Sequence, residues 1–318
     1  MNEITTVDIV IATRGRGDLI DGTLESLRKC AHTDWLLWIV DQSDDDATCR
    51  AVERHGRIDP RIRYLHIEQR GISVSRNIGV RAGHAPYLLF TDDDCVVEPD
   101  WIDVMLGELK RDDTWAVFGK VIPDEHYHPP VAANVTPVHR SIPMALKDSP
   151  DRKVYAGSRL NLGFGHGASF GMRRDRFEQL GGYDELLGVG GKLRSWNDRD
   201  IGYRILKRGG RIVYTPAAVM YHLHWRGWEE TRRTYRNYAT GCGAAAGKYL
   251  RCGDWVGAYI LIEWFFDQGV RQILSGLLKW HSTQKIEVGF AQLIYPWRGL
   301  IDGAKYPIDR EHILYRRA

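Results

Sequence analysis

The first 121 residues alternate between short apolar runs and longer amphipathic ones, and this rhythm constrains the fold more than any other feature of the chain. Val7 to Ala12, Trp35 to Val40, Ile62 to Ile67, Tyr87 to Thr91 and Trp115 to Val121 have the length and apolarity of strands buried on both faces. Between them Leu19 to Cys30, Asp45 to His55, Ser73 to Ala82 and Trp101 to Arg111 have helical length and spacing. Parallel strands need a crossover and helices supply it, so the pattern predicts a doubly wound α/β protein, a mostly parallel sheet flanked by helices.

Composition narrows the function. The 318 residues carry 44 Lys+Arg against 41 Asp+Glu, a near balance without the positive excess that replaces counterions along phosphates, so bulk nucleic-acid binding is not expected. Cys30, Cys49, Cys95, Cys242 and Cys252 are odd in number and widely spaced, which argues against a disulfide framework or a zinc knuckle and for a cytoplasmic setting. The strand-like run beginning at Val7 leaves no room for a secretory leader, and no apolar stretch approaches the roughly 18 residues of a membrane span. Any membrane contact is expected to be peripheral.

From Ile122 to Lys153 the pattern breaks, and half of the 12 prolines fall there, as in a binding loop or lid. A glycine-rich stretch, Gly157 to Gly171, leads into a helix at Arg174 to Leu180. A second helix, Asp198 to Arg208, precedes a strand at Arg211 to Thr215, so the α/β pattern resumes to about His224. The expected organisation is therefore an α/β domain over 1–224, in two parts at 1–121 and 122–224, and a helical extension over 225–318. The extension holds 14 Lys+Arg against 9 Asp+Glu and six of the 11 tryptophans. In Trp255 to Trp280 the polar stripe of an otherwise apolar helix is only Glu263, Asp267 and Arg271. Such a face either packs on the sheet or a second copy of the chain, making a homodimer, or lies on a membrane. The basic, aromatic segment before it, with Arg226, Arg232, Arg233, Arg236, Lys248 and Arg251, suits an anionic surface.

Chemistry concentrates where Tyr87-Leu88-Leu89-Phe90 runs into Thr91-Asp92-Asp93-Asp94. Three adjacent carboxylates repel one another and call for a cation, and the carboxyl ends of strands are where open α/β sheets bind ligands. In an extended chain Asp92 and Asp94 share one face and Asp93 takes the other. All-oxygen ligation suits Mg²⁺ or Mn²⁺ completed by substrate phosphates. The alternative is a solvated acidic turn, or a helix cap ahead of Trp101.

Four blocks in order settle the weighting: Val7-Asp8-Ile9-Val10-Ile11-Ala12-Thr13-Arg14, Trp38-Ile39-Val40-Asp41-Gln42-Ser43, Gly71-Ile72-Ser73-Val74-Ser75-Arg76-Asn77 and Phe90-Thr91-Asp92-Asp93-Asp94. Together they resemble the family 2 glycosyltransferases of the GT-A fold. The likeness continues through Gly163-Phe164-Gly165-His166-Gly167-Ala168-Ser169, Gly181-Gly182-Tyr183-Asp184 and Trp196-Asn197-Asp198-Arg199-Asp200 to about Tyr221-His222. It implies metal-dependent, inverting transfer of a sugar from a nucleotide diphosphate, most commonly UDP, to a glycan or lipid-linked acceptor hydroxyl. By the same resemblance Asp94 binds the divalent ion, with Asp92 and His222 as further candidates and His224 as an alternative to the latter. Asp92 or Asp93 meets the ribose, while Thr13, Arg14, Asp41 and Arg70 lie toward the nucleotide. Without the family, Asp41 reads as a turn residue and Arg70 as a surface arginine.

Inversion needs a carboxylate to take the acceptor proton, and the alignment places Asp198 there. With Asn197 as N-cap, Asp198 stands in a helix's first turn, where the dipole keeps it ionised and weakens it as a base; Asp200 is either a structural partner of Arg204 or the alternative base. Gly188 to Gly191 reads as a flexible closing loop, Gly181-Gly182 as backbone punctuation. Two other readings remain open on sequence. One is a sugar-nucleotide-forming nucleotidyltransferase, of whose phosphate loop Thr13-Arg14-Gly15-Arg16-Gly17 is a poor imitation; the other is a noncatalytic sugar-nucleotide or glycan binder.

Overall fold

The computed structural model describes residues 6–111, 113–124, 142–144, 146–223 and 225–317. The expected alternation is present from the first residue of the pattern: β1 (Val7–Thr13), α1 (Ile20–Arg28), β2 (Trp35–Asp41), α2 (Ala47–Ile58), β3 (Ile62–His66), α3 (Ile72–Ala82) and β4 (Tyr87–Asp92). A short β5 (Cys95–Val97) then precedes α4 (Trp101–Leu109) and β6 (Thr114–Pro123). After β7 (Ile142–Pro143) and β8 (Lys153–Tyr155) come β9 (Phe170–Arg173), α5 (Arg174–Gln179), α6 (Asn197–Lys207) and β10 (Arg211–His222). Most of the proline-rich segment read as a lid lies outside the described residues, as does His224.

One nine-stranded sheet runs in the order β3-β2-β1-β4-β9-β6-β10-β5, with β8 also on β10. The first four strands are parallel, while β9, β5 and β8 run antiparallel to their neighbours. β1 is apolar and buried along nearly its whole length because helices cover both faces. β3 departs from the expected double burial: it is the edge, and Arg63 and His66 face solvent. The strand expected at Arg211 to Thr215 continues past Pro216 as β10, whose register on β6 slips between Thr215 and Val219. Pro216 has no N–H to give the ladder, which suits a bulge there.

The chain after β10 is β11 (Trp225–Arg226), α7 (Trp228–Arg251), α8 (Val256–Glu263), a π turn (Trp264–Val270), α9 (Arg271–Leu278) and α10 (Thr283–Ala304), closed by β12 (Ile308–Asp309) and β13 (Leu314–Tyr315). These helices share the core of the sheet. Tyr249, Val256, Ile260 and Tyr315 belong to the same buried cluster as Val10, Phe118, Phe170 and Ile201. A fully buried ion pair ties the two parts: Lys248 Nζ lies 2.6 Å from Asp184 and 2.7 Å from Asp200. Asp200 also bonds Arg204 at 2.9 Å, the structural pair read from the sequence. The basic segment is thus largely spoken for. Arg232 and Arg236 face Glu287, Arg251 donates to the Gly303 and Tyr306 carbonyls, and Arg226 turns toward the cavity described next.

Candidate active site

At the carboxyl ends of β1 and β4 opens a cavity of about 420 Å³. Thr13, Arg14, Arg16, Arg70, Arg76, Asp92, Asp93, Asp94, Asp198 and His222 all line it. Among the described residues, every site residue expected from the sequence is therefore gathered in one place, with one exception. Asp41 is buried at the end of β2, where its carboxylate accepts from Ser43 N–H at 2.8 Å and from the Tyr64 hydroxyl at 2.8 Å. The Ser43 hydroxyl in turn accepts from Gly15 N–H at 2.8 Å. These bonds tie Asp41 to the loops at the cavity mouth.

The three consecutive aspartates do not alternate as an extended chain would. β4 ends at Asp92, and Asp93 and Asp94 form the turn into β5. Asp94 therefore groups with Asp93. Arg16 lies 2.7 Å from Asp94 Oδ2 and 3.8 Å from Asp93 Oδ1. Asp92 points the other way, to Arg76 at 2.9 Å. Burial, reinforced by the charge of Asp94, pushes the Asp93 carboxyl above the ordinary range. Nor is this turn a helix cap, since α4 begins behind Asp100.

His222, at the end of β10, places Nε2 3.2 Å from Asp94 Oδ1. Burial alone would lower its pKa, but the hydrogen bond and charge of Asp94 prevail and raise it. Asp94, Cys95 and His222 each bring a ligand atom within 4.8 Å of the others, all buried. Burial holds the Cys95 thiol well above its usual pKa, which disfavours the thiolate a metal needs. A carboxylate and an imidazole remain. That donor set fits Mn²⁺, and the residues present are compatible with a divalent ion.

Asp198 stands in the first turn of α6, as expected, but its surroundings differ. The helix opens at Asn197 behind Trp196, which has φ 80°, so Asn197 is the first helical residue and its side chain donates to Asp198 at 2.9 Å. A tryptophan in the left-handed region is strained, and such strain persists where packing fixes it. Here Trp196 packs edge-on against Trp264, with Arg199 lying over both rings. Asp198 accepts from Gly167 N–H at 3.1 Å and from Arg76 at 3.1 Å. Burial raises its pKa, outweighing Arg76, so the carboxylate is a stronger base than the helix dipole alone implies.

Two residues that the sequence reading left without a role organise this arrangement. Arg76 is 1% exposed and joins Asp92, Asp198 and the Gly167 carbonyl. It stands on the buried side of α3 with Ser73, Asn77 and Val80, and an arginine at i+3 and i−4 of that stripe was the available signal. Gly167 is needed for space, because a Cβ there would sit 2.3 Å from Asp198 Oδ1. Arg14 and Arg70 both pair with Asp44 at the mouth. The Gly188 to Gly191 loop is less free than expected: Ile72 N–H donates to the Val189 carbonyl and Ser73 to Leu187. Gly181 and Gly182 have φ 75° and 76°, fitting backbone punctuation.

The C-terminal helices also reach the site. Arg226, Tyr238 and Trp264 line the main cavity. A second cavity of about 180 Å³ shares Trp196, Arg199 and Trp264 and adds Asn161, Glu263 and Asp267.

Carboxylates at the carboxyl end of a mainly parallel sheet, with another carboxylate on the wall of the same cavity, are the architecture of a GT-A nucleotide-sugar enzyme. The chain belongs to glycosyl transferase family 2, whose profile matches residues 8–181. A glucosyl-dolichyl phosphate glucuronosyltransferase of Haloferax volcanii is 26% identical over 230 residues, 68% of this chain and 68% of that protein. Among solved structures, the mannosyltransferase PcManGT of Pyrobaculum calidifontis, in complex with GDP-Man and Mn²⁺, superposes with a TM-score of 0.63 at 16% identity, covering 95% of this chain and 88% of that one. The S. aureus TarS fragment 1–349 with UDP-GlcNAc gives 0.51 at 15% identity, covering 74% and 66%.

Proposed function

We propose that the protein transfers a glycosyl group, with inversion, from a nucleotide diphosphate sugar to an acceptor hydroxyl in glycoconjugate synthesis. The observation that carries this reading is the path Asp92–Arg76–Asp198, which sets a candidate base against the donor-side carboxylates across one cavity. Asp198 takes the acceptor proton, and its raised pKa suits the task. Arg76 fixes the direction of the Asp198 carboxylate while balancing its charge and that of Asp92. Asp94 and His222 would hold the divalent ion, Mn²⁺ or Mg²⁺, while Asp92 is engaged by Arg76. When bound, the ion neutralises charge on the departing diphosphate. Arg14 and Arg70 meet the nucleotide at the mouth; Thr13 and Asp93 lie deeper.

Complexes of the structural neighbours with GDP-Man and Mn²⁺ and with UDP-GlcNAc support a nucleotide-sugar donor and an ion. UDP is the first donor nucleotide to test. The aromatic walls of Trp196 and Trp264, beside Glu263 and Asp267, suit a sugar-bearing acceptor, since rings stack on apolar sugar faces while carboxylates accept from hydroxyls. Thermal unfolding with UDP, GDP, dTDP and CMP, each with Mn²⁺, Mg²⁺ or chelator, tests the reading, because a ligand of the native state raises Tm. One nucleoside diphosphate is expected to stabilise only with the ion. Stabilisation by none of them removes the donor assignment.

A further inference from the structure

The last helices invert the usual distribution of apolar side chains. α8, the π turn and α9 run antiparallel to α10 through the turn at residues 279–282, and glycines bring them together. A Cβ on Gly269 would meet Leu293 at 2.1 Å, and one on Gly289 would meet Ile273 at 2.5 Å. α10 is held as closely to α7, where a Cβ on Gly243 or Gly299 would lie 1.9 Å from the Pro296 or Thr240 carbonyl oxygen. With the inner faces occupied, the outer ones ought to be polar. Yet of the sixteen large apolar side chains exposed among the described residues, twelve lie between Trp255 and Ile301. On α10, Phe290, Ile294, Trp297 and Ile301 follow one another at helical spacing and are 51%, 61%, 61% and 65% exposed. An exposed stripe of this kind marks an interaction surface.

The charges say which kind. Three of the four acidic groups on these helices are compensated, Asp267 by Arg271, Asp302 by Arg298 and Lys305, Glu287 by Arg232 and Arg236, while Glu263 lines the second cavity. Among the described residues Lys279 and Lys285 have no carboxylate partner. Both stand over the Trp280 ring at the hairpin tip, at 5.3 and 4.6 Å. An apolar stripe with outlying tryptophans and free lysines matches the layered chemistry of a bilayer surface, acyl chains below and anionic headgroups above. Among the described residues no helix is long and apolar enough to cross a membrane.

We propose that this hairpin face seats the protein on an anionic phospholipid surface. Its position gives the seating a use. Trp264 opens the π turn and lines the cavity, whereas Phe265 and Phe266, next in sequence, are exposed. One helix is therefore both the acceptor-side wall and the lipid-facing surface, so an acceptor carried on a lipid arrives at the mouth already confined to the membrane plane. The acceptor class rests on the transferase reading above; the seating itself does not.

The test is flotation of the purified full chain with vesicles of phosphatidylcholine, with and without phosphatidylglycerol, at low and high salt. Flotation is expected with anionic vesicles at low salt, reduced several-fold on neutral vesicles or at high salt. The combined change Phe266→Glu, Ile294→Glu and Trp297→Glu should abolish it, and Lys279→Glu with Lys285→Glu should remove the preference for anionic lipid. Stabilisation by UDP with Mn²⁺, measured on each variant, separates a lost surface from a lost fold or donor site. If none of UDP, GDP, dTDP and CMP with Mn²⁺ stabilises the unaltered chain while flotation holds, the donor reading fails and the seating stands. No flotation of the intact chain at low salt, or flotation unchanged in the triple variant, overturns the proposal. A dimer that the triple variant dissociates, without flotation, assigns the face to a second copy and overturns it as well.

Discussion

The first 121 residues and the last 94 solve opposite problems. The first region hides its apolar strands and displays charge at their ends, where Arg16, Asp93 and Asp94 meet in a cavity. The C-terminal region hides charge, in the fully buried Lys248 with Asp184 and Asp200, and displays apolar side chains from Trp255 to Ile301. Charge at a strand end can engage a charged ligand. Charge sealed in a core can only hold elements together, and it does so beside α6, the helix that carries Asp198. The extension thus supports the site from below and lines it from the side.

The strongest way to break this comparison is to remove the sealed charge. Lys248→Met leaves Asp184 and Asp200 without their shared cation, and breaking a buried pair on one side costs about 3–5 kcal/mol. Urea unfolding should show that loss as one cooperative transition of the whole chain. A truncation after residue 224 that still unfolds cooperatively would show instead that the extension is dispensable.

A smaller effect is expected from a single carbon. Gly167→Ala drives a methyl group into the Asp198 carboxylate, and misplacing a reacting group by about 1 Å costs roughly 10²-fold in rate. Donor-nucleotide affinity should change little, because Gly167 meets Asp198 and Arg76 and is remote from Asp94 in the hydrogen-bond pattern. An alanine variant with unaltered turnover would detach Asp198 from the chemistry.

What the sequence made legible follows the same division. Strands β1, β2 and β4 announce themselves because parallel strands covered on both sides must be continuously apolar, and Asp92 to Asp94 stand out because three carboxylates have no reason to end such a run. Arg76 was hidden among serines in α3, where its burial depends on partners 16 and 122 residues away. The grouping of Asp93 with Asp94 depended on a turn that a three-residue window does not reveal. For the extension, helical period shows that a face is apolar but not what covers it. Only the packing of α8 and α10 on α7 shows that nothing in the described chain does.

The smallest expected effect is on pH dependence. Asp198 serves as a base only when ionised, and burial raises its pKa, so the acid limb of kcat should lie above the roughly 3.9 of an ordinary aspartate. The linked stability runs in the matching direction: the contribution of Asp198 is full below its unfolded pKa and is lost as pH rises through the folded value. An acid limb at or below the ordinary value would place the base elsewhere.

The central claim is that one cavity holds the donor through Asp94 and the acceptor proton through Asp198. Nucleotide binding with Mn²⁺ and sugar turnover, measured side by side on Asp94→Ala and Asp198→Asn, test it most directly. Asp94→Ala should lose ion-dependent binding. Asp198→Asn should bind nearly as the unaltered protein does and lose about 10²–10⁴-fold in turnover, the usual contribution of a general base. Near-normal turnover in Asp198→Asn, or ion-dependent binding unchanged in Asp94→Ala, would contradict the account.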